Sequence, residues 1–188
     1  MNHSKILTRL KEGNQRFIQD RLDGKLQDSK RRESLTGGQE PYAIVLSCAD
    51  SRVVPEIIFD TGLGELFVLR VAGNIANTDT VASIEYAVSH CGSKVIVVLG
   101  HENCGAVTAA IDGGDNGYNL NHLLAQITPA VEGCDTNEVN AVVKQNAKNV
   151  AKDLSTRSEI ISKALAKKDI EIVPAYYSLS SGEVNFLE

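Results

Sequence analysis

The sequence predicts an α/β protein: a single domain with a mainly parallel central β-sheet, flanking helices that include one at the N-terminus, and an antiparallel edge strand at the C-terminus. Three observations lead there. Strand-sized apolar runs alternate with segments of helical period, the pattern of strands joined by crossover helices. A chain of 188 residues with 43% hydrophobic content is long enough for one substantial core and too short for two comfortable ones. The last two apolar runs are joined by Ser180-Ser181-Gly182, a connection tight enough to force antiparallel pairing.

Taken in order, Ile6, Leu7, Leu10, Phe17 and Ile18 recur at roughly helical spacing, and Gly13 weakens the middle of that helix without excluding it. Residues 21–40 are polar, carry Gly24, Gly37 and Gly38, and read as a connection with some helix. Residues 1–40 are therefore expected to form an N-terminal helical arm and residues 41–188 the α/β core. The first strand is expected at 42–47, and a second over Glu65–Val71, after the turn-rich Thr61-Gly-Leu-Gly64. Thr80 to His90 carries Val81, Ile84, Ala87 and Val88 on one helical face, with Gly92 as its stop. Lys94–Leu99 gives a third strand, followed by a helix from Asn103 or Cys104 that ends before Asp112-Gly-Gly-Asp-Asn-Gly117. Residues 119–132 and 136–168 are helical in pattern, Ile170–Tyr177 is a fourth strand, and Glu183–Leu187 is the final edge strand.

Net charge is −5 and the basic residues are scattered apart from Lys30-Arg31-Arg32 beside Glu33, so no basic face for nucleic acid is expected. The apolar runs are too short to span a membrane, and Met1-Asn2-His3-Ser4-Lys5 leads into an amphipathic pattern without a signal-peptide core. A cytoplasmic protein is the expectation. Four cysteines need form no disulfide framework in a chain of this size, and a reducing compartment leaves their thiols free to bind metal.

Cys48, in Ser47-Cys48-Ala49-Asp50-Ser51-Arg52, and His101 with Cys104, in Gly100-His101-Glu102-Asn103-Cys104-Gly105, each follow a predicted strand. An α/β sheet builds its sites at those carboxyl ends. Two thiolates and an imidazole form the three-ligand set of a catalytic zinc, which keeps a fourth position open. His101 and Cys104 can meet an ion from one turn, whereas Cys48 must arrive from a neighbouring strand. On spacing alone the same residues also fit buried cysteines and a satisfied core histidine. Asp50 and Arg52 follow Cys48 at alternate positions, where a guanidinium can hold a carboxylate ionised in a two-toothed pair. Asp50 is then a fourth ligand, an acceptor that orients the metal's water, or half of a turn salt bridge.

Cys48-Ala-Asp-Ser-Arg52 and His101-Glu-Asn-Cys-Gly105, with Gly64-Glu-Leu-Phe-Val-Leu-Arg70, Ala72-Gly-Asn74 and Ser83-Ile-Glu-Tyr-Ala87 between them, resemble the β-class carbonic anhydrases from about Gln39 to Val107. The resemblance implies one zinc per chain on Cys48, His101 and Cys104, with Asp50 and Arg52 as the family's catalytic Asp-Arg dyad. Gln39, nine residues before Cys48, matches the family's substrate-side glutamine. Phe67 and Tyr86 match pocket aromatics that face a dimer interface, and Gly105 offers a backbone N–H beside Cys104. The implied activity is reversible hydration of carbon dioxide to bicarbonate and a proton by zinc-bound hydroxide, in a homodimer that assembles further in some members, up to tetramers or larger. In members with an inhibitory bicarbonate pocket, Trp stands three residues before the first zinc cysteine and Gly one before it. Here Val45 and Ser47 occupy those positions, and Arg70 alone cannot restore the pocket. The plant-like subtype, whose resting zinc binds water rather than Asp50, is expected.

Other features imply no further cofactor. His3, His90, Cys91, His122 and Cys134 read as surface or packing residues. Asp112–Gly117 lacks the acidic spacing of an EF-hand, and Gly62-Leu-Gly64 is too sparse for a dinucleotide fingerprint. Two alternatives remain open at the level of sequence: a zinc hydrolase of carbon disulfide or carbonyl sulfide on the same scaffold, and a non-catalytic zinc-binding sensor.

Overall fold

In the computed structural model, which describes residues 1–188, five strands form one sheet: β1 (Ala43–Ser47), β2 (Leu66–Arg70), β3 (Val95–His101), β4 (Glu171–Tyr177) and β5 (Val184–Phe186). Their order is β2-β1-β3-β4-β5, parallel throughout except for β5, which runs antiparallel to β4. Nine helices surround it: α1 (His3–Ile18), α2 (Ser29–Ser34), α3 (Pro55–Ile58), α4 (Thr78–His90), α5 (Gly105–Asp112), α6 (Tyr118–Ala125), α7 (Thr128–Glu132), α8 (Val139–Arg157) and α9 (Glu159–Ala166). No helix is long and apolar enough to cross a membrane.

The sheet is covered on both faces, so every residue of β1 and β3 is buried, which is why those strands read as unbroken apolar runs rather than alternating ones. Side chains still alternate between the two cores. Ile44, Leu46, Ile96 and Val98 face α4, α8 and α9, where Ile84, Ala147, Leu154 and Ile161 meet them. Val45, Val95, Val97 and Leu99 face the opposite side, against Ile6 and Leu10 of α1 and Ile58 of α3. Each fully buried aliphatic side chain contributes about 1.5–3 kcal/mol. Helix starts follow the polar residues that precede them: the side chains of Asn2, Asn77 and Ser158 accept from the N–H groups of Lys5, Thr80 and Ile161, satisfying donors the helix cannot.

The expected strands are all present with small shifts at their ends. The helical pattern over 136–168 is divided at Ser158, whose extended backbone ends α8 and caps α9. Two short pieces carried no periodicity to reveal them: α3, and a 3-10 turn at Ala72–Asn74.

The chain passes from β1 outward to β2 and then back across β1 to β3. Reversal of direction at adjacent strands opens a crevice beyond their carboxyl ends, and that crevice receives Cys48 and His101.

Gly13 has a packing reason. A Cβ there would stand 1.9 Å from the carbonyl oxygen of Phe59, so α1 can approach the end of α3 only where no side chain intervenes. Replacing a mid-helix glycine by alanine ordinarily adds up to about 1 kcal/mol of helix stability. Here the sign is expected to reverse: Gly13→Ala should cost about 1–3 kcal/mol through overpacking, read as a lower urea midpoint at unchanged m-value.

Candidate metal centre

Cys48 leaves the end of β1, His101 is the last residue of β3, and Cys104 is the N-cap of α5. All three are buried, and their ligating atoms lie within 4.8 Å of one another. The two sulfurs are 4.0 Å apart. Tetrahedral coordination with metal–sulfur bonds of about 2.3 Å separates two sulfurs by about 3.8 Å, so the pair needs almost no movement to share an ion.

His101 Nδ1 lies 3.0 Å from the carbonyl oxygen of Glu102. A carbonyl only accepts, so Nδ1 carries the proton and Nε2 presents its lone pair. That Nε2 is buried and has no hydrogen-bond partner in the chain, an arrangement that costs free energy unless something else meets the atom. The thiols make the same demand. Donation from Cys104, and from the N–H groups of Asp50 and Gly73, pulls the Cys48 thiol well below its ordinary value against the opposing effect of burial; Cys104 is pushed up by that shared hydrogen bond and by burial. One thiolate forms readily, and a second beside it needs a cation. An orphaned imidazole nitrogen and a thiol pair of this kind fit a divalent metal.

Asp50 stands at the rim. Its Oδ1 accepts from Arg52 Nε at 2.9 Å and its Oδ2 from Arg52 Nη2 at 2.6 Å, while Oδ2 remains 3.9 Å from His101 Nε2. The hydrogen bonds from the Arg52 side chain hold the Asp50 carboxyl well below the usual carboxylate range. Arg70, on β2, donates to the carbonyl oxygens of Cys48 at 3.1 Å and Asp50 at 2.6 Å, fixing the segment that carries both side chains. Gly73 adds a third support: its N–H donates to Cys48 Sγ at 3.4 Å and its carbonyl accepts from Asn146 of α8 at 2.9 Å. With φ at +68° and Ile127 at 2.6 Å from where a Cβ would sit, that position has no room for a side chain.

The sequence profile of the carbonic anhydrases matches residues 43–184. Carbonic anhydrase 2 of Mycobacterium tuberculosis is 38% identical over 180 residues, spanning 92% of this chain and 87% of that one. The chain belongs to the carbonic anhydrase family. A carbonic anhydrase of Mycolicibacterium smegmatis is 37% identical over 182 residues, spanning 93% of this chain and 88% of that one. Among solved structures, a tetrameric β-carbonic anhydrase of Sordaria macrospora superposes with TM-score 0.76 at 27% identity, over 83% of this chain and 85% of that chain. The Coccomyxa β-carbonic anhydrase in complex with acetazolamide gives 0.77 at 25% identity, over 94% and 83%. Together these place the chain in the β class.

Of the remaining residues singled out in the sequence, Gly105 opens α5 beside Cys104, and the space where a Cβ would project from it is clear of other atoms to 4 Å. Gln39, Phe67 and Tyr86 lie elsewhere. Gln39 precedes β1, whereas Cys48 follows it, and a strand of five residues spans about 17 Å. Phe67 pairs in register with Ile44, three steps before Arg70 and Ser47. Tyr86 lies 6.3 Å from the Phe67 ring and stacks on His90 at 5.0 Å. Tyr86 and His90 share a cleft of about 650 Å³ with Gln39 and Cys91. The place of His90 in this array gave no sequence signal, because a lone histidine at a helix end looks like any surface residue.

Metal titration checks the donor set. Cys48→Ala and Cys104→Ala should each lose most of the divalent-metal affinity of the parent, since neither Cys91 nor Cys134 belongs to the cluster. Cys91→Ala and Cys134→Ala should keep it. Full metal occupancy in Cys48→Ala would refute the assignment.

Proposed function

We propose that this chain catalyses the reversible hydration of carbon dioxide to bicarbonate and a proton, with one zinc ion held by Cys48, His101 and Cys104. The observation that carries the reading is the orphaned, buried Nε2 of His101 facing two sulfurs 4.0 Å apart, with a carboxylate 3.9 Å away that another residue already restrains. Two thiolates and an imidazole suit zinc over harder cations, and three protein ligands leave the fourth position open.

Zinc bound there supplies Lewis acidity that brings the pKa of water toward about 7. The protein's own groups do the rest. Asp50 Oδ2 accepts a hydrogen from the nucleophilic water and so points an oxygen lone pair toward the carbon of the substrate. Arg52 fixes the Asp50 carboxylate and keeps it ionised, so that it accepts and never donates. The N–H of Gly105, at the N-terminus of α5, favours the negative charge that develops on the substrate oxygens. Because Arg52 holds both carboxylate oxygens, direct ligation by Asp50 would require breaking that fork. Its closed pairing, with Val45 and Ser47 in place of the regulatory pocket's residues, supports the plant-like subtype.

Gln39, Phe67 and Tyr86 enter this scheme from a second chain. Gln39 lies a strand's length before Cys48 and Phe67 three residues before the end of β2, with Tyr86 of α4 beside Phe67, and together they adjoin the open edge of β2, whose first four residues are only half-buried. A sheet edge left with unpaired backbone and partly exposed Leu66, Phe67 and Leu69 calls for cover. A second copy would supply the cover and bring one chain's Gln39, Phe67 and Tyr86 to the other's Asp50. Gln39 then offers an amide to a bicarbonate oxygen, and the aromatic rings exclude water from a small, weakly polar substrate.

Two measurements test the proposal. Asp50→Asn preserves shape and leaves all three metal ligands, so it should retain zinc while losing about 100-fold or more in hydration rate. Loss of zinc from that variant would make Asp50 a ligand instead of an orienting group. Light scattering coupled to an activity assay should find the dimer to be the smallest active species; a fully active monomer would contradict the shared pocket.

A further inference from the structure

Between His101 and Cys104 lie two residues that touch no metal-ligating atom with their side chains, and both are held from outside the site. Glu102 is anchored at three points. Its N–H donates to the carbonyl of Tyr177 at 2.8 Å, and its Oε2 accepts from Ser178 Oγ at 3.0 Å and from the N–H of Ser180 at 2.9 Å. Asn103, with φ at +52°, donates its N–H to Asn140 Oδ1 of α8 at 2.9 Å. The β4–β5 turn thus grips one side of the loop and the start of α8 the other. The remaining backbone polar group of Glu102 is its carbonyl, and that oxygen is the one His101 Nδ1 meets at 3.0 Å.

We propose that Glu102 is the positioning residue for His101: its side chain, anchored on Ser178 and Ser180, fixes its own peptide plane so that the carbonyl takes the Nδ1 proton's hydrogen bond and commits the imidazole to presenting Nε2. Glu102 touches neither metal nor substrate. It acts by removing two freedoms from the ligand, the choice of tautomer and the rotation of the ring, which otherwise have to be lost when the metal binds. Anchoring rather than charge is the operative property. A neutral acceptor of the same length should serve, and a shorter acid should not.

The inference rests on the metal reading above, and the experiment separates the two. The parent protein is first titrated with zinc against a chromophoric chelator and with cobalt(II), whose absorption bands report coordination geometry; absence of binding by the parent would sink the metal reading itself. The metal-free protein, labelled with nitrogen-15, reports the His101 tautomer by long-range nitrogen–proton correlation, with no dependence on metal or activity. Glu102→Ala and Glu102→Asp should each weaken zinc binding about 10–100-fold, alter the cobalt bands, and leave His101 in a mixture of tautomers. Glu102→Gln should retain the Nδ1–H form and bind zinc within about threefold of the parent. If Glu102→Ala does not fold, the contrast between Glu102→Asp and Glu102→Gln decides alone. Parent-like affinity and tautomer in Glu102→Asp, or equal losses in Glu102→Gln and Glu102→Asp, would overturn the role.

Discussion

The parallel pairing of β1 with β3, in register from Ala43 opposite Val95 to Ser47 opposite Leu99, is the constraint on which the rest of the molecule depends. Adjacent strands lie about 4.8 Å apart, so two runs of residues that finish near each other deliver their next side chains to one small volume. β3 continues to His101 while β1 ends at Ser47, and the offset lets His101 and Cys48 converge, with Cys104 brought back to them by a turn through Asn103 at φ +52°. Shifting β1 by one residue would turn Cys48 into the opposite face and exchange the two cores. Burial of Ile44 and Leu46 on one side and Val45 on the other therefore specifies the site as firmly as it specifies the fold.

Bringing these groups together has an electrostatic cost that the chain only partly offsets. Backbone N–H groups of Asp50 and Gly73 converge on Cys48, which favours one thiolate. A second thiolate at Cys104 would face the first across 4.0 Å, and His101 presents a bare lone pair at its side. A dication is the simplest species that satisfies all three at once, because it removes the like-charge repulsion and meets the Nε2 lone pair. The fit to a metal thus follows from what the protein leaves unpaired as much as from the donors it supplies.

Strands, their order of appearance and the two ligand motifs were legible because they rest on local signals: apolar runs of the right length, turn residues, and a His-x-x-Cys spacing within one turn. The antiparallel pairing of β5 followed from the short Ser180–Gly182 link. What stayed hidden depends on contacts between distant segments. Gly13 looks like a flaw in α1 until Phe59 is placed against it. Arg70, at the end of an edge strand, gives no sign that it grips the carbonyls of Cys48 and Asp50. Glu102 is one more polar residue in a loop until the β4–β5 turn arrives at its carboxylate. For Gln39, Phe67 and Tyr86 the motif match named a shared pocket, while the chain places Gln39 before β1, at the opposite end of that strand from Cys48, and Phe67 three residues before the end of β2, beside Tyr86 of α4.

Support for the centre comes from several separate parts of the chain. β2 contributes Arg70, the turn after β2 contributes the Gly73 N–H, α8 contributes Asn140 and Asn146, and the β4–β5 turn contributes Ser178 and Ser180. None of these residues is in the ligand set, and each acts on backbone, on a ligand atom's spare valence, or on a neighbour's carboxylate. An ion site built this way loses little conformational entropy on binding, since the ligand positions are already determined by the ends of a buried sheet. The opposite holds at the rim, where Asp50 and Arg52 are less buried than the three donors and Phe67 and Tyr86 lie beside an uncovered strand edge. On the proposed reading, ligands held within one chain and a pocket completed by a second copy would divide the work: an ion needs the fixed geometry that a single buried core gives, whereas a small neutral substrate needs an enclosed apolar space that the rim of one chain does not provide.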